Sequence, residues 1–203
     1  MRERSPPQRL RPRKTPRQPR SEETVAAIVE AAAQVLESAG FEGFNTNAVA
    51  ERAGVSIGSL YQYFPGKDAL TVALIHRETR RFHDDTATAL QLRSGKAALD
   101  AMLDASVRQQ LQRPMLARLL DIEEGRPALR DEVAKPETEA LFATAVRRAK
   151  PRLERPELAA ADLVAIIRGM VDAAGERGET DIDDLTRRLR AAVFGYLAKV
   201  GAG

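Results

Sequence analysis

The chain predicts an all-α fold of about nine helices: a three-helix unit, a long fourth helix, and a larger helical unit after it. Three observations carry this. Apolar residues recur three and four apart through most of residues 21–203, the period that lays one stripe along a helix. Glycine and proline fall largely between those stripes. No stretch alternates apolar and polar residues long enough for a strand, and no unit repeats at a fixed period.

Residues 1–20 stand apart as an arm. They hold seven Arg and Lys14 against Glu3, a net of +7, which leaves −4 for the rest of a chain whose total is +3. Five of the eleven prolines (6, 7, 12, 16 and 19) lie there, so the segment is expected to be extended and disordered, with no helix. Such an arm can follow nucleic-acid phosphates or enter a minor groove. It can equally be a solvated leader, or reflect a translation start placed too early.

The first helix is expected from Ser21, with Glu22 and Glu23 suited to its positive end and Val25, Ile28, Val29, Ala32, Val35 and Leu36 on its inner face, to Gly40. A second runs from about Asn45 to Ala53, a third from about Ser56 to Phe64. Pro65-Gly66 breaks the chain before a long helix from Lys67 to about Arg93, with Leu70, Leu74, Ile75 and Phe82 inward. Helices near 96–112, 114–123, 127–149, 157–176 and 182–200 follow, and Pro136 should kink or split the third of these. The domain boundaries read as 1–20, 21–82 and 83–203.

The most informative stretch is V-A-E-R-A-G-V-S-I-G-S-L-Y-Q-Y-F, residues 49–64. Two short helices meet at Gly54, where a left-handed turn costs glycine no Cβ strain. Ala50 is small enough for the helices to cross closely. Ser56 offers an N-cap oxygen, while Leu60 and Phe64, four apart, bury the second helix's inner face. Ile57, Gly58, Ser59, Tyr61, Gln62 and Tyr63 remain outward, without a carboxylate, and hydroxyls and amides on such a face suit a DNA groove. A plain helical hairpin whose tyrosines only cover a core is the alternative. On the DNA reading, Ser59 and Gln62 are the hydrogen-bonding base readers, with Gln able to pair bidentately with adenine. Ile57 can meet a thymine methyl, and Gly58 allows close backbone approach.

Residues from about Ser21 to Phe82 resemble the N-terminal domain of the TetR family of bacterial transcriptional regulators, through A-E-R-A-G-V-S-I-G-S-L-Y-Q-Y-F-P-G-K-D-A-L, Ala50 to Leu70. Asn45 departs from the family's usual Thr or Ser at the start of its second helix, although Asn caps as well. The resemblance implies a helix-turn-helix at about 45–64 that binds double-stranded DNA at a two-fold operator. It also implies phosphate grips at Thr46, Tyr61, Tyr63 and Lys67, with Asn45 and Ser56 beside them. It further implies a homodimer built by the last two helices. Those helices carry the stripes Leu163, Ile166, Ile167, Met170, Ala174 and Leu185, Leu189, Ala192, Val193, Tyr196, Leu197. Leu163, Ile167, Ala174, Leu189, Val193 and Tyr196 are accordingly the expected interface.

Residues 83–203 match the family only in length and helical character. On the helix near 96–112, Leu99, Met102, Leu103 and Leu111 form an apolar stripe that includes Ser106 and Gln110. Inward polar groups need partners. Either backbone or water supplies them, or Ser106 and Gln110 line a pocket for a small hydrophobic effector with Met102, Met115, Leu119, Phe142, Ile166 and Met170 as walls.

The chain has no cysteine, which excludes disulfides, thiolate metal sites and cysteine nucleophiles and fits a cytoplasmic protein. No run of about 18 apolar residues predicts a membrane span, and no signal-peptide core is expected. His76 and His83 lie about 10 Å apart by helix rise, too far to share one metal. Asp121, Glu123 and Glu124 have no His, Lys or phosphate loop near them in sequence, and no nucleotide or esterase fingerprint occurs. No enzyme activity, metal or cofactor is therefore expected. The expectation is a ligand-responsive repressor. The alternatives are a DNA-binding regulator whose second unit docks a protein, or a helical enzyme or metal-binding protein that retains the motif.

Overall fold

The computed structural model describes residues 19–126 and 136–200, whose regular elements are all helices, with no strand among them. In chain order the helices are α1 (Pro19–Gly43), α2 (Thr46–Ala53), α3 (Ile57–Tyr63), α4 (Lys67–Ala89), α5 (Gly95–Gln112), α6 (Pro114–Glu124), α7 (Pro136–Ala149), α8 (Pro156–Glu176) and α9 (Ile182–Val200). Two compact units divide them. One holds residues up to Arg77 together with 119–126 of the described chain; the other holds 78–118 and the residues from α7 onward. The division therefore falls at 77/78 inside α4, before the expected position 83. The end of α6 joins the first unit across a long stretch of sequence.

Residues 1–18 of the arm, and residues 127–135, lie outside the described residues. Pro19 and Arg20, expected in the arm, open α1 instead. Proline at the first helical position lacks only an N–H that no carbonyl would have accepted, and its φ is already helical. The same logic places Pro136 at the start of α7 and Pro156 at the start of α8. Within α1, Gly40 takes φ 60° and ψ −165°, a break that a helix interior does not tolerate, before helical turns resume to Gly43. Ser21–Gly43 is long and apolar enough by composition to cross a membrane. Its largest apolar side chains are spent otherwise: Ile28 and Leu36 are fully buried in the first unit with Phe44, Val49, Leu60, Phe64, Leu70 and Leu74.

In the second unit α5 packs against α7, α8 and α9. That position explains its burial on several faces, from Ala98 through Leu111. Helix α4 stops at Ala89, four residues short of expectation: the Gln91 and Leu92 N–H groups turn to the Thr88 and Ala89 carbonyls, three residues back, and Arg148 of α7 satisfies the Leu90 and Leu92 carbonyls that follow. Ser94 then caps α5, its hydroxyl accepting from the Ala97 N–H at 3.1 Å. None of this is legible locally, since Arg148 lies 56 residues from Leu92.

Candidate nucleic-acid interface

Each cap in the motif is made by the residue its chemistry favours. Asn45 accepts from the Ala48 N–H at 3.0 Å and donates to the Gly43 carbonyl at 3.1 Å, which fixes the entry to α2. Gly54 closes α2 with φ 67° and ψ 28°. Its N–H reaches the Glu51 carbonyl at 3.1 Å and that of Val55 reaches Ala50 at 3.0 Å, the paired bonds of a left-handed helix stop. Ser56 opens α3 by accepting from the Ser59 N–H at 3.1 Å.

The outward face of α3 is narrower than the sequence indicates. Ile57, Gly58, Tyr61 and Gln62 are exposed, at spacings that place them on one side. Ser59 is half-buried, and its hydroxyl lies 2.8 Å from that of Ser56. It thus belongs to the cap, a correction to its expected place among the free donors of this face. Tyr63 is also half-buried. Tyr61 meets Thr46 across the motif, hydroxyl to hydroxyl at 3.1 Å, so two expected phosphate grips form one polar pair on α2 and α3.

Lys67 is less free than its place at the start of α4 implies. Its ammonium donates to the Phe41 carbonyl at 3.2 Å and sits 5.6 Å and 5.3 Å from the ring centres of Phe41 and Phe44. Those distances are within cation–π reach. An ammonium has three donors, so this contact leaves two directions for an anion. Phe41 and Phe44 were not singled out from sequence; an aromatic pair beside the Gly40 break is the signal that could have found them. At the end of α6, Arg126 donates to Asp68 and Glu123, and Glu123 first and Asp68 second hold its guanidinium pKa above the usual arginine value. Glu123 is therefore engaged, not a free carboxylate.

Gly58 is the informative position. A Cβ placed there would meet only the Ser56 hydroxyl oxygen, at 3.9 Å, so nothing inside the protein requires glycine.

In the second unit, Met102 and Phe142 are fully buried, Ser106 and Gln110 are buried, and Ile166 and Met170 pack partly buried against the same core. The Met115 and Leu119 side chains lie outside the described ones. Ser106 donates to the Met102 carbonyl at 2.9 Å, the backbone solution to its burial. The amide of Gln110 lies against Gly175 of α8. Thr186 of α9 is the exception among the described residues, because its hydroxyl is buried and has no partner. Two contacts set α5 and α9 antiparallel: Lys96 over the Phe194 ring at 5.7 Å, and Arg190 on Asp100 at 2.6 Å and Asp104 at 3.1 Å. Equal rise along both helices then puts Thr186 about level with Asp104, within one turn of Ser106. A separate recess of about 470 Å³, open to solvent, is lined by Ser94, Lys96, Ala97, Asp100, Arg190 and Phe194, outside the expected set.

The residues expected at a dimer interface are mostly buried within the chain itself. Leu163, Ile167, Ala174, Leu189 and Val193 lie in the chain's own core, at most 5% exposed. Tyr196 is half-buried and donates to Asp162 of α8, which pushes its phenol pKa up to about 12. The most apolar stripe of each helix went inward, as it must when the chain has its own core to fill. Outward on these helices is a run of small residues, the half-buried Ala161 with exposed Ala165 and Gly169 on α8, and exposed Ala191, Gly195 and Ala198 on α9, among larger exposed side chains such as Leu158 and Arg168. A Cβ on Gly169 or Gly195 would touch nothing within the chain. His83 meets the Thr138 hydroxyl at 3.0 Å, His76 is exposed, and no metal-binding group of three side chains forms among the described residues.

Residues 28–74 match the family described as bacterial regulatory proteins, tetR family, and residues 96–197 match the tetracyclin repressor-like C-terminal domain. The chain is 40% identical over 62 residues to the HTH-type transcriptional repressor KstR of Mycolicibacterium smegmatis, covering 30% of each. It is 32% identical over 117 residues to the HTH-type transcriptional repressor DrrR1 of Streptomyces coeruleorubidus, covering 58% of this chain and 42% of that one. The matches thus span less than half the length of these curated relatives. Among solved structures, the fatty acid degradation regulator FadR from Bacillus halodurans shares the fold, with a TM-score of 0.75 at 18% identity, over 89% of this chain and 97% of that one. With its helix-turn-helix and the greater part of its second unit both matched, the chain belongs to the TetR family of bacterial regulatory proteins.

Proposed function

We propose that the protein is a homodimeric transcriptional repressor of the cytoplasm, which binds a two-fold DNA operator through α2 and α3 and releases it when a small hydrophobic molecule binds the second unit. The carrying observation is the outward face of α3. It offers an amide at Gln62, an apolar tip at Ile57, a phenol at Tyr61 and bare backbone at Gly58, without a charge to select phosphate over base. The relatives KstR and DrrR1, both named repressors, support the sign of regulation.

Gly58→Ala separates DNA binding from a structural role. Alanine has room and favours a helix by up to about 1 kcal/mol, so the variant should fold at least as stably as the parent. If the backbone at 58 meets DNA, affinity for a duplex selected by the parent protein should fall all the same. Gln62→Ala should instead relax the selected sequence, at about 1–3 kcal/mol for a lost bidentate base contact. Repeating the selection with each variant checks both, and an unchanged motif from Gln62→Ala would remove Gln62 as a base reader.

The basic arm gives a second expected result. Deleting residues 1–18 should leave the described fold intact. It should also lower the slope of log affinity against log salt by about 0.9 for each phosphate contact the arm makes. A slope equal to the parent's would exclude the arm from the complex.

The effector half of the proposal rests on neutral polar groups, Ser106, Gln110 and Thr186, buried among Met102, Phe142 and other apolar side chains. A buried hydroxyl without a partner is costly, and a ligand oxygen would supply one to Thr186. Because Met102 and Phe142 are fully packed, a ligand that enters among them must part the helices around them. Such a ligand favours a rearranged state by construction, as an inducer requires. Screening neutral apolar compounds for thermal stabilisation, then measuring duplex affinity with each hit, tests this; hits that stabilise without weakening DNA binding would remove induction.

A further inference from the structure

The first turn of α4 is gripped from two sides, and one grip comes from far away in sequence. Lys67 ties it to α1 through the Phe41 carbonyl. On the other side Arg126, which follows α6, donates from one terminal nitrogen to Asp68 Oδ1 at 3.1 Å and from the other to Oδ2 at 3.4 Å. The planar guanidinium fits a carboxylate in this two-pronged way, which fixes direction as well as distance. The first of those nitrogens also donates to Glu123 Oε2 at 2.5 Å. Glu123 is only 8% exposed, so its charge needs a cation nearby. Arg126 neutralises both carboxylates at once, and Asp68 in turn sits between Lys67 and the buried Ala69.

We infer that Arg126 is a positioning residue for DNA binding: by bridging Asp68 and Glu123 it holds the first turn of α4, and with it Lys67 and the turn that leaves α3, where a duplex meets them. This rests on the DNA-binding reading above. Arg126 acts through Asp68 and not on DNA, since its guanidinium is spent on two carboxylates. Its removal should therefore weaken all duplexes alike, without altering the selected sequence, and only together with a loosened α4. An arginine that only touched phosphate would instead lower the salt slope by about 0.9 while leaving the exchange of α4 unchanged.

The test uses the full chain with Arg126→Ala, Arg126→Lys and the double variant Arg126→Ala/Glu123→Gln. The double variant leaves no uncompensated buried carboxylate and so keeps the fold accessible. The first measurement is amide hydrogen exchange at Leu70 and Thr71 in the free protein, which does not depend on DNA. Exchange should quicken about tenfold in both alanine variants and less in Arg126→Lys, while amides of α9 stay unchanged. The second is affinity for a duplex that the parent protein enriches from a random pool. It should fall about tenfold in the alanine variants and partly recover in Arg126→Lys. Faster exchange with parental affinity would overturn the positioning role, and a reduced slope with parental exchange would make Arg126 a phosphate contact instead. If the parent enriches no duplex, the DNA-binding reading fails and the inference with it. The exchange rates would then show separately whether Arg126 holds α4.

Discussion

Gly95→Ala is expected to destabilise the second unit by on the order of 3 kcal/mol, the upper range for overpacking a tight core. A Cβ at this position would lie 2.1 Å from the Ala149 nitrogen, 2.4 Å from the Arg148 carbonyl carbon and 2.7 Å from the Ala149 Cα. All three are backbone atoms, so no side-chain rotation relieves the clash. Neither segment can easily withdraw. Ser94 caps α5 through Ala97 and Ala98, and Arg148 is bound to the carbonyls of Leu90 and Leu92. The close approach of the start of α5 to the end of α7 is thus available only to glycine. Urea unfolding should show a lower midpoint with an unchanged slope. A midpoint equal to the parent's would mean that α5 and α7 do not meet as described.

Gly169→Glu and Gly195→Glu should do the reverse, sparing the subunit and breaking the assembly. Glycine inside an exposed helix costs about 1 kcal/mol relative to alanine, and nothing within the subunit asks for it at either position. Flat faces of Ala161, Ala165 and Gly169 on α8, and of Ala191, Gly195 and Ala198 on α9, let a second copy's helices approach closely. Under the proposed dimer, a carboxylate on either face should leave a folded monomer by sedimentation. Affinity for a two-fold duplex should fall roughly 10²–10⁴-fold, the gain that linking two binding sites supplies, while affinity for a half-site stays the same. Leu163→Ala is the contrast. Leu163 is fully buried in its own subunit, so the change should cost about 2–5 kcal/mol of stability. Dimers that persist in both glutamate variants would place the interface elsewhere.

What the sequence by itself determined is local. The ends of α2 and α3 follow from Asn45, Gly54 and Ser56, because a cap is a contact within a few residues and depends on which side chain can make it. The all-helical class follows from apolar period and helix breaks, and the motif from Ala50 to Leu70 carries the family. The tertiary structure decided everything that depends on which side of a helix faces what. Ser59 turned to the cap of Ser56, Lys67 turned to Phe41 and Phe44, and the apolar stripes of α8 and α9 went into their own core instead of a partner's. Periodicity marks a stripe but cannot say whether the same chain or a second copy will cover it. A face of glycine and alanine, moreover, leaves no hydrophobic signal. Contacts such as Arg126 with Asp68 and Arg148 with Leu92, 58 and 56 residues apart, are invisible to any local reading, because only the folded chain brings a guanidinium to the acceptors it completes.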